Sequence, residues 1–158
     1  MRPKIQLAKT RSEKIANVIG YAALLFLLFF FFSKIMTLPA EIPLHYNGDT
    51  VDRYGSKWTT IIIVIIAIAL HIGMTVLERK PHIHNYPARI NEKNAAQFYR
   101  VSVQILNYTK NTTAVLMVFV TYDLLQLHAQ VSPFFWVLLI MILLIPVWGF
   151  IKMQRIPD

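Results

Sequence analysis

Three groups of side chains in this sequence are of types that do chemistry. The first is Glu41, His45 and Asp52, set among Asn47, Arg53 and Tyr54 in the stretch 38–57. Glu41 and His45 are four residues apart, and a carboxylate beside an imidazole can bind a metal ion or move a proton. The same residues can serve a loop that folds onto its own hydrogen bonds, and this plainer reading is preferred. The second group is His82-x-His84, followed by Asn85-Tyr86-Pro87 and by Glu92 and Asn94. Two imidazoles hold a transition metal if a further ligand joins them. Between prolines they read better as a structural corner, and no metal or other cofactor is expected. The third group is Asp123 and His71, each inside an apolar run. An ionised Asp near mid-membrane costs about 2.5–3.5 kcal/mol on insertion scales, so it must face protein or a wet cavity. His71 is the partner by type, but depth opposes a direct pair. His71 lies about 13 residues, roughly 20 Å, from the outer end of its run, and Asp123 about 7 residues, roughly 10 Å. Asp123 is therefore expected to face Tyr, Thr or loop groups such as Arg53, as a structural partner rather than a proton relay. No H-E-x-x-H, Ser-His-Asp spacing, phosphate loop or nucleotide fingerprint is present. The absence of cysteine excludes disulfides, thiolate metal sites and cysteine nucleophiles. The chain reads as a non-enzyme.

The elements that must position these groups are apolar and long. The 158 residues are 56% hydrophobic with a mean hydropathy of +0.48. Soluble domains run at about 45–50% apolar. The 16 basic against 8 acidic residues give +8. The basic residues cluster beside apolar runs, where anionic lipid and the positive-inside rule account for them, so no nucleic acid is expected. Arg2, Lys4, Lys9, Arg11 and Lys14 precede Ala16–Ser33, a run of 18 uncharged residues that includes the Leu/Phe tract Leu24–Phe32. That run exceeds the usual signal-peptide core of about 7–15 residues, and no small-x-small site follows, so an uncleaved first span is expected. The Phe tract is read as lipid-facing. Trp58–Leu77 supplies 20 residues without formal charge, and at 1.5 Å each they cover about 30 Å, one hydrocarbon core. From Glu92, with Asn91 as N-cap, Phe98, Val101, Ile105 and Tyr108 recur at helical spacing. This predicts an amphipathic helix at the membrane interface that feeds the next span. Asn111–Leu127 is the least apolar span, with Thr112, Thr113, Thr121, Asp123 and Gln126; Pro133–Ile151 is strongly apolar, with Pro146 expected to kink it.

The expected architecture is an all-α membrane protein with four transmembrane helices, at about 15–36, 58–77, 111–129 and 133–151, in a single domain 1–158. The charges orient it. Five basic residues lie in the N-terminal tail and six in 78–110, against Arg53 and Lys57 in the loop 38–57. Both termini and the segment 78–110 are therefore expected inside, and the loop outside. The loop itself is dense in special residues. Pro39 and Pro43 stiffen it, and Asn47-Gly48 between alternating flanks is a two-residue turn signal. Centred there, a hairpin pairs Tyr46 with Asp49, His45 with Thr50, Leu44 with Val51 and Pro43 with Asp52. His45 and Asp52 then share a face as diagonal neighbours. Ile42, Leu44, Tyr46 and Val51 line the face that packs on the span ends, and Ser56 N-caps the next helix.

The pattern Leu38-Pro39-x-Glu41-Ile42-Pro43-x-His45-Tyr46-Asn47, then Asp52-Arg53-Tyr54-Gly55-Ser56-Lys57, resembles the bacterial membrane family termed domain of unknown function 1648. A second stretch, Pro81-His82, Asn85-Tyr86-Pro87, Glu92-x-Asn94-Ala95 and Gln97, looks like the cytoplasmic segment of that family, so the resemblance is drawn over about two-thirds of the chain. The family's domain also forms the N-terminal part of sporulation-delay toxin immunity proteins. These are polytopic membrane proteins that protect the producer and relay the toxin's presence to a cytoplasmic repressor. The chain departs from the pattern by one residue fewer between Asn47 and Asp52, and by having fewer spans. The resemblance implies a multi-pass protein of the bacterial cell membrane. The expected role is binding, sensing or immunity-like, with a peptide, toxin or membrane-protein partner at the outer loop and a cytoplasmic partner at 78–110. The rival is a proton-linked, transporter-like subunit using Asp123 and His71.

Overall fold

The computed structural model describes residues 2–48, 50–130 and 132–157. Helix α1 (Arg11–Ile35) leads to a hairpin of β1 (Glu41–Asn47) and β2 (Thr50–Ser56), followed by α2 (Ile61–Glu78), α3 (Ala95–Leu125) and α4 (Pro133–Gln154). Each start has a local cause. Thr10 closes a capping box on α1: its hydroxyl accepts from Glu13 N–H, and the Glu13 carboxylate accepts from Thr10 N–H at 2.6 Å. Ser56 caps the 3₁₀ turn Lys57–Thr60, which runs into α2, by accepting from Trp58 N–H. Pro133 occupies the first position of α4, where its missing N–H costs nothing.

Helix α3 departs from expectation in two ways. It starts at Ala95 rather than Glu92, because Asn91 and Asn94 first bond to each other in a turn. The Asn91 side-chain Oδ1 accepts from the N–H groups of Lys93 and Asn94, and Asn94 Oδ1 accepts from Asn91 N–H. It then runs unbroken for 31 residues, so the amphipathic segment and the third span are one helix. Phe98, Tyr99, Val101, Val103, Gln104 and Asn107 are all buried. That segment therefore packs much of its surface against protein.

Among the described residues, three stretches are long and apolar enough to cross a membrane: Arg11–Ile35, Lys57–Glu78 and Pro133–Gln154. Helix α3 is the exception because it packs against α1, α2 and α4 together. A helix shielded on several sides by other helices can carry polar side chains, and the outer helices supply the apolar surface. Leu25, Phe29, Ile62, Phe134 and Leu143 are exposed, more than half so in each case, far beyond what a soluble monomer leaves uncovered. The molecule is a membrane protein. The Phe tract is not wholly lipid-facing as expected: Leu27, Phe31 and Ile35, at helical spacing, are fully buried, the last two in a core with Val64 and Leu125. Gly20 and Gly149 let α1 and α4 approach α3 closely, since a Cβ at either would overlap Asn111 or Ile105.

The two ends of the bundle differ. One carries the hairpin and the α3–α4 turn. The other gathers the N-terminal segment, residues 80–94 and the end of α4 around a core of Tyr86, Ala95, Phe98, Tyr99, Val101, Met153 and Ile156. Arg2 donates to His84 C=O, Tyr99 Oη to Pro3 C=O, and Arg89 to Ile156 C=O at 2.8 Å.

Candidate functional site

The hairpin forms where the loop was expected to reverse, but its pairing is shifted by two residues. Asn47 pairs with Thr50, Tyr46 with Val51, His45 with Arg53, Pro43 with Tyr54 and Glu41 with Ser56. The predicted pairs of Tyr46 with Asp49, His45 with Thr50, Leu44 with Val51 and Pro43 with Asp52 are not made; Asp49 itself lies outside the described residues. The reversal follows Asn47, with Gly48 at φ +61, a backbone region that favours glycine. Irregularities on both sides of His45 leave Leu44 unpaired on one strand and Asp52 on the other. Bulges of this kind re-aim side chains. Leu44 lies across Gly55, where a Cβ would overlap its side chain. Asp52 turns to His45, and His45 Nδ1 stands 2.6 Å from Asp52 Oδ1. The expected His45–Asp52 contact thus exists, made by a bulge rather than by diagonal pairing.

A two-stranded hairpin is at best marginal alone in water, so its anchors decide whether it is ordered. Ile42 is fully buried. Tyr46 Oη donates to Leu127 C=O at 3.0 Å, tying the hairpin to the α3–α4 turn. Lys57 closes the base by donating from Nζ to Leu38 C=O and from its backbone to Ala40 C=O. Outward stand Glu41, His45, Asn47, Asp52, Arg53 and Tyr54, all exposed, Tyr54 to 61%. This is a polar, part-aromatic face on a tethered support.

Asp123 does not face Arg53, Tyr or Thr as expected, nor His71. It organises the α3–α4 turn. Its backbone C=O accepts from His128 N–H, and Leu127 N–H bonds to Leu124 C=O, a Schellman arrangement with Leu127 at φ 60 where glycine is usual. Its carboxylate accepts from the N–H of Ser132, the N-cap of α4, at 2.8 Å and faces His128 Nδ1 at 3.5 Å. A carboxylate at a helix N-terminus is favourably placed against the helix dipole. His71 lies elsewhere, buried against the Tyr21 ring at 5.1 Å and near Lys110; neither ring nitrogen has a hydrogen-bond partner among the described residues. Lys110 and Asp123 are 13 residues apart on α3, about 20 Å.

At the end that holds the termini, the second motif is structural. His84 Nδ1 is 2.7 Å from Ser102 Oγ and its Nε2 is 2.9 Å from Leu77 C=O, so both ring nitrogens are engaged within the protein. His82, half-buried, stands in the 3₁₀ turn Pro81–Ile83, and Asn85 is exposed. Tyr86 is buried, donates to Pro81 C=O at 2.9 Å, and lies under the Arg2 guanidinium. Asn94 Nδ2 reaches Arg89 C=O and Pro157 C=O, whereas Glu92 is exposed. No cluster of three metal-ligating residues occurs among the described residues.

Sequence reasoning missed a buried ionic network below this motif. Glu78, at the end of α2, is held by Lys110 at 2.7 Å and Lys9 at 2.9 Å, and Asn107 Nδ2 donates to it. Lys110 Nζ also donates to Thr75, and Asn17 accepts from Asn107 and Asn111. Glu13, fully buried, meets Arg100 at 3.4 Å. The signal was available: Gln104, Asn107, Lys110 and Asn111 form a polar stripe at helical spacing on α3.

Residues 19–69 match the family described as a domain of unknown function (DUF1648). The match covers 51 residues (69 − 19 + 1), about a third of the chain rather than two-thirds, and leaves the stretch from Pro81 to Gln97 outside it. No curated protein and no solved structure matches the chain. The matched segment holds the hairpin, its anchors Ile42, Tyr46 and Lys57, and the exposed face they carry, so this chain is a membrane protein that contains domain of unknown function 1648 from within α1, through the hairpin, into α2.

Proposed function

We propose that this is a non-catalytic, four-span protein of the bacterial cell membrane, with both termini inside, that binds a peptide or membrane-protein partner through the outward face of its hairpin. The observation that carries this reading is the exposed His45–Asp52 pair, flanked by Glu41, Arg53 and Tyr54, on a hairpin anchored by buried Ile42 and by Tyr46. A rigid support lowers the entropy lost when a partner docks. An immunity-like or sensing role fits a protein that binds outside and has a second ordered surface, 78–110, inside. The basic balance of that inner end follows the positive-inside pattern and needs no nucleic acid. The transporter-like rival is disfavoured because Asp123 is occupied as the cap of α4 and lies about 20 Å along α3 from the neighbourhood of His71.

The test separates binding from folding. His45→Ala and Asp52→Ala should change stability by no more than about 0.5 kcal/mol, as exposed positions do. Leu44→Ala should lower it measurably. In native membranes, a crosslinker attached at Tyr54→Cys should capture a defined partner, and His45→Ala should abolish that adduct. If both polar variants unfold the protein as Leu44→Ala does, the face is structural and the reading fails.

A further inference from the structure

Between α1 and α4 part of α3 is left uncovered, forming a groove of about 400 Å³. Ala16 and Ile19 form one wall, Met141 and Ile145 the other, with Tyr108 and Val115 on the floor. Asn111 also borders it, but its amide is turned into the α1–α3 contact: Nδ2 donates to Asn107 C=O, and its oxygen lies against Gly20. What the groove offers is therefore almost wholly hydrocarbon.

The end of the groove nearest the termini is different. Tyr108 Oη is 2.9 Å from Ser12 Oγ, and its ring lies 6.0 Å from that of Trp148. One turn further along α4, Lys152 Nζ sits 4.8 Å from the Trp148 ring centroid and donates to Gln104 Oε1 at 3.2 Å. Among the described residues no carboxylate pairs with Lys152. Arg100, Gln97 and Lys152 border a second depression, of about 470 Å³. From Lys152 to Met141 is 11 residues, about 16 Å along the helix. Half of a hydrocarbon core of about 30 Å is roughly the same length.

We propose that this groove is a binding site for one anionic glycerophospholipid, with an acyl chain between α1 and α4 and its phosphate at Lys152. The apolar slot matches the chain, the indole and phenol lie at the depth where aromatic belts meet headgroups, and the phosphate supplies a counter-ion that no described residue gives Lys152. A zwitterionic lipid brings its own cation to a site that already holds one. The site is distinct from the hairpin and does not depend on what the hairpin binds.

The test is native mass spectrometry of the detergent-purified full chain with equal amounts of phosphatidylglycerol and phosphatidylcholine. One phosphatidylglycerol per chain should survive activation that strips phosphatidylcholine. Lys152→Gln should lower that bound fraction at least about fivefold, the loss expected when a charge-assisted contact is removed. Ile145→Trp, which fills the slot and leaves Lys152 in place, should do the same. Gly73→Trp, on a face of α2 with nothing near it, should leave retention unchanged. Thermal melting identifies any variant that fails to fold, and Met141→Phe replaces Ile145→Trp in that event. Equal retention of the two lipids, or full retention by folded Lys152→Gln, overturns the proposal. So does a dimer that the slot-filling variant removes, since that would assign the groove to a second copy of this chain.

Discussion

Single residues in this protein separate into those the bundle consumes and those it leaves free. Asp123, the most conspicuous acid in the sequence, is consumed. Asp123→Asn keeps an acceptor for Ser132 N–H and should unfold close to the wild-type midpoint. Asp123→Leu leaves that N–H unpaired and should cost about 1–3 kcal/mol by denaturant titration. Tyr86 gives a pH-dependent test outside the membrane. Burial pushes its phenol from 10.0 up to about 12. The folded state therefore holds the proton more tightly than the unfolded one. Its contribution is full below pH 10 and is lost as the pH rises towards 12. Comparing thermal midpoints across that window, Tyr86→Phe should show a shallower alkaline loss than wild type. It should also be about 1 kcal/mol less stable near neutrality, from the lost bond to Pro81. An equal alkaline slope in the two proteins would mean that Tyr86 is not protected as described.

At the scale of elements, α3 is the organiser, and what it needs from its neighbours is close approach. Gly20 and Gly149 allow it on opposite sides. Gly20→Ala puts a methyl onto the Asn111 side chain, which is already tied to Asn107 and Asn17 and cannot swing away without breaking those bonds. The expected cost is about 1–3 kcal/mol, as for other overpacked sites. Gly73→Ala, in open space on α2, is the control and should be near neutral or slightly stabilising. Thermal unfolding of the two variants in one detergent decides it. The hairpin obeys the same logic at smaller scale, with Gly55 making room for Leu44 and the bulges turning Asp52 towards His45.

For the whole molecule, the question is how the bundle sits across the membrane. The termini and residues 80–94 assemble at one end and the hairpin stands at the other, which fits an even number of crossings. Among the described residues, Lys34, Arg53 and Lys57 are the basic side chains near the hairpin, while Arg2, Lys4, Lys9, Arg79, Lys80, Arg89, Lys93 and Arg155 mark the other end. Because the chain has no cysteine, introduced ones report cleanly. Thr50→Cys and Ala88→Cys both fall at exposed positions. In intact cells an impermeant thiol reagent should label Thr50→Cys, and Ala88→Cys only after permeabilisation. The reverse pattern would invert the orientation.

The sequence by itself determined that this chain lives in a membrane, that Ser56 and Pro133 mark the entries to α2 and α4, and that the loop 38–57 is ordered. Those properties follow from hydropathy, capping residues and turn chemistry, all of which act over a few residues. It also placed His45 beside Asp52, although by the wrong register, because a two-residue slip matches the period of the strand and keeps the same apolar side chains inward. Only the tertiary structure decided what the polar residues of α3 do. In a sequence, Lys110 next to a span looks like an orienting charge and Asp123 looks like the partner of a Tyr, a Thr or Arg53. Which role each has depends on groups outside its own turn of helix: Glu78 and Lys9 for Lys110, the N–H of Ser132 across the α3–α4 turn for Asp123. Partners of that kind are brought together by the packing of three helices around a fourth, and no local periodicity encodes them.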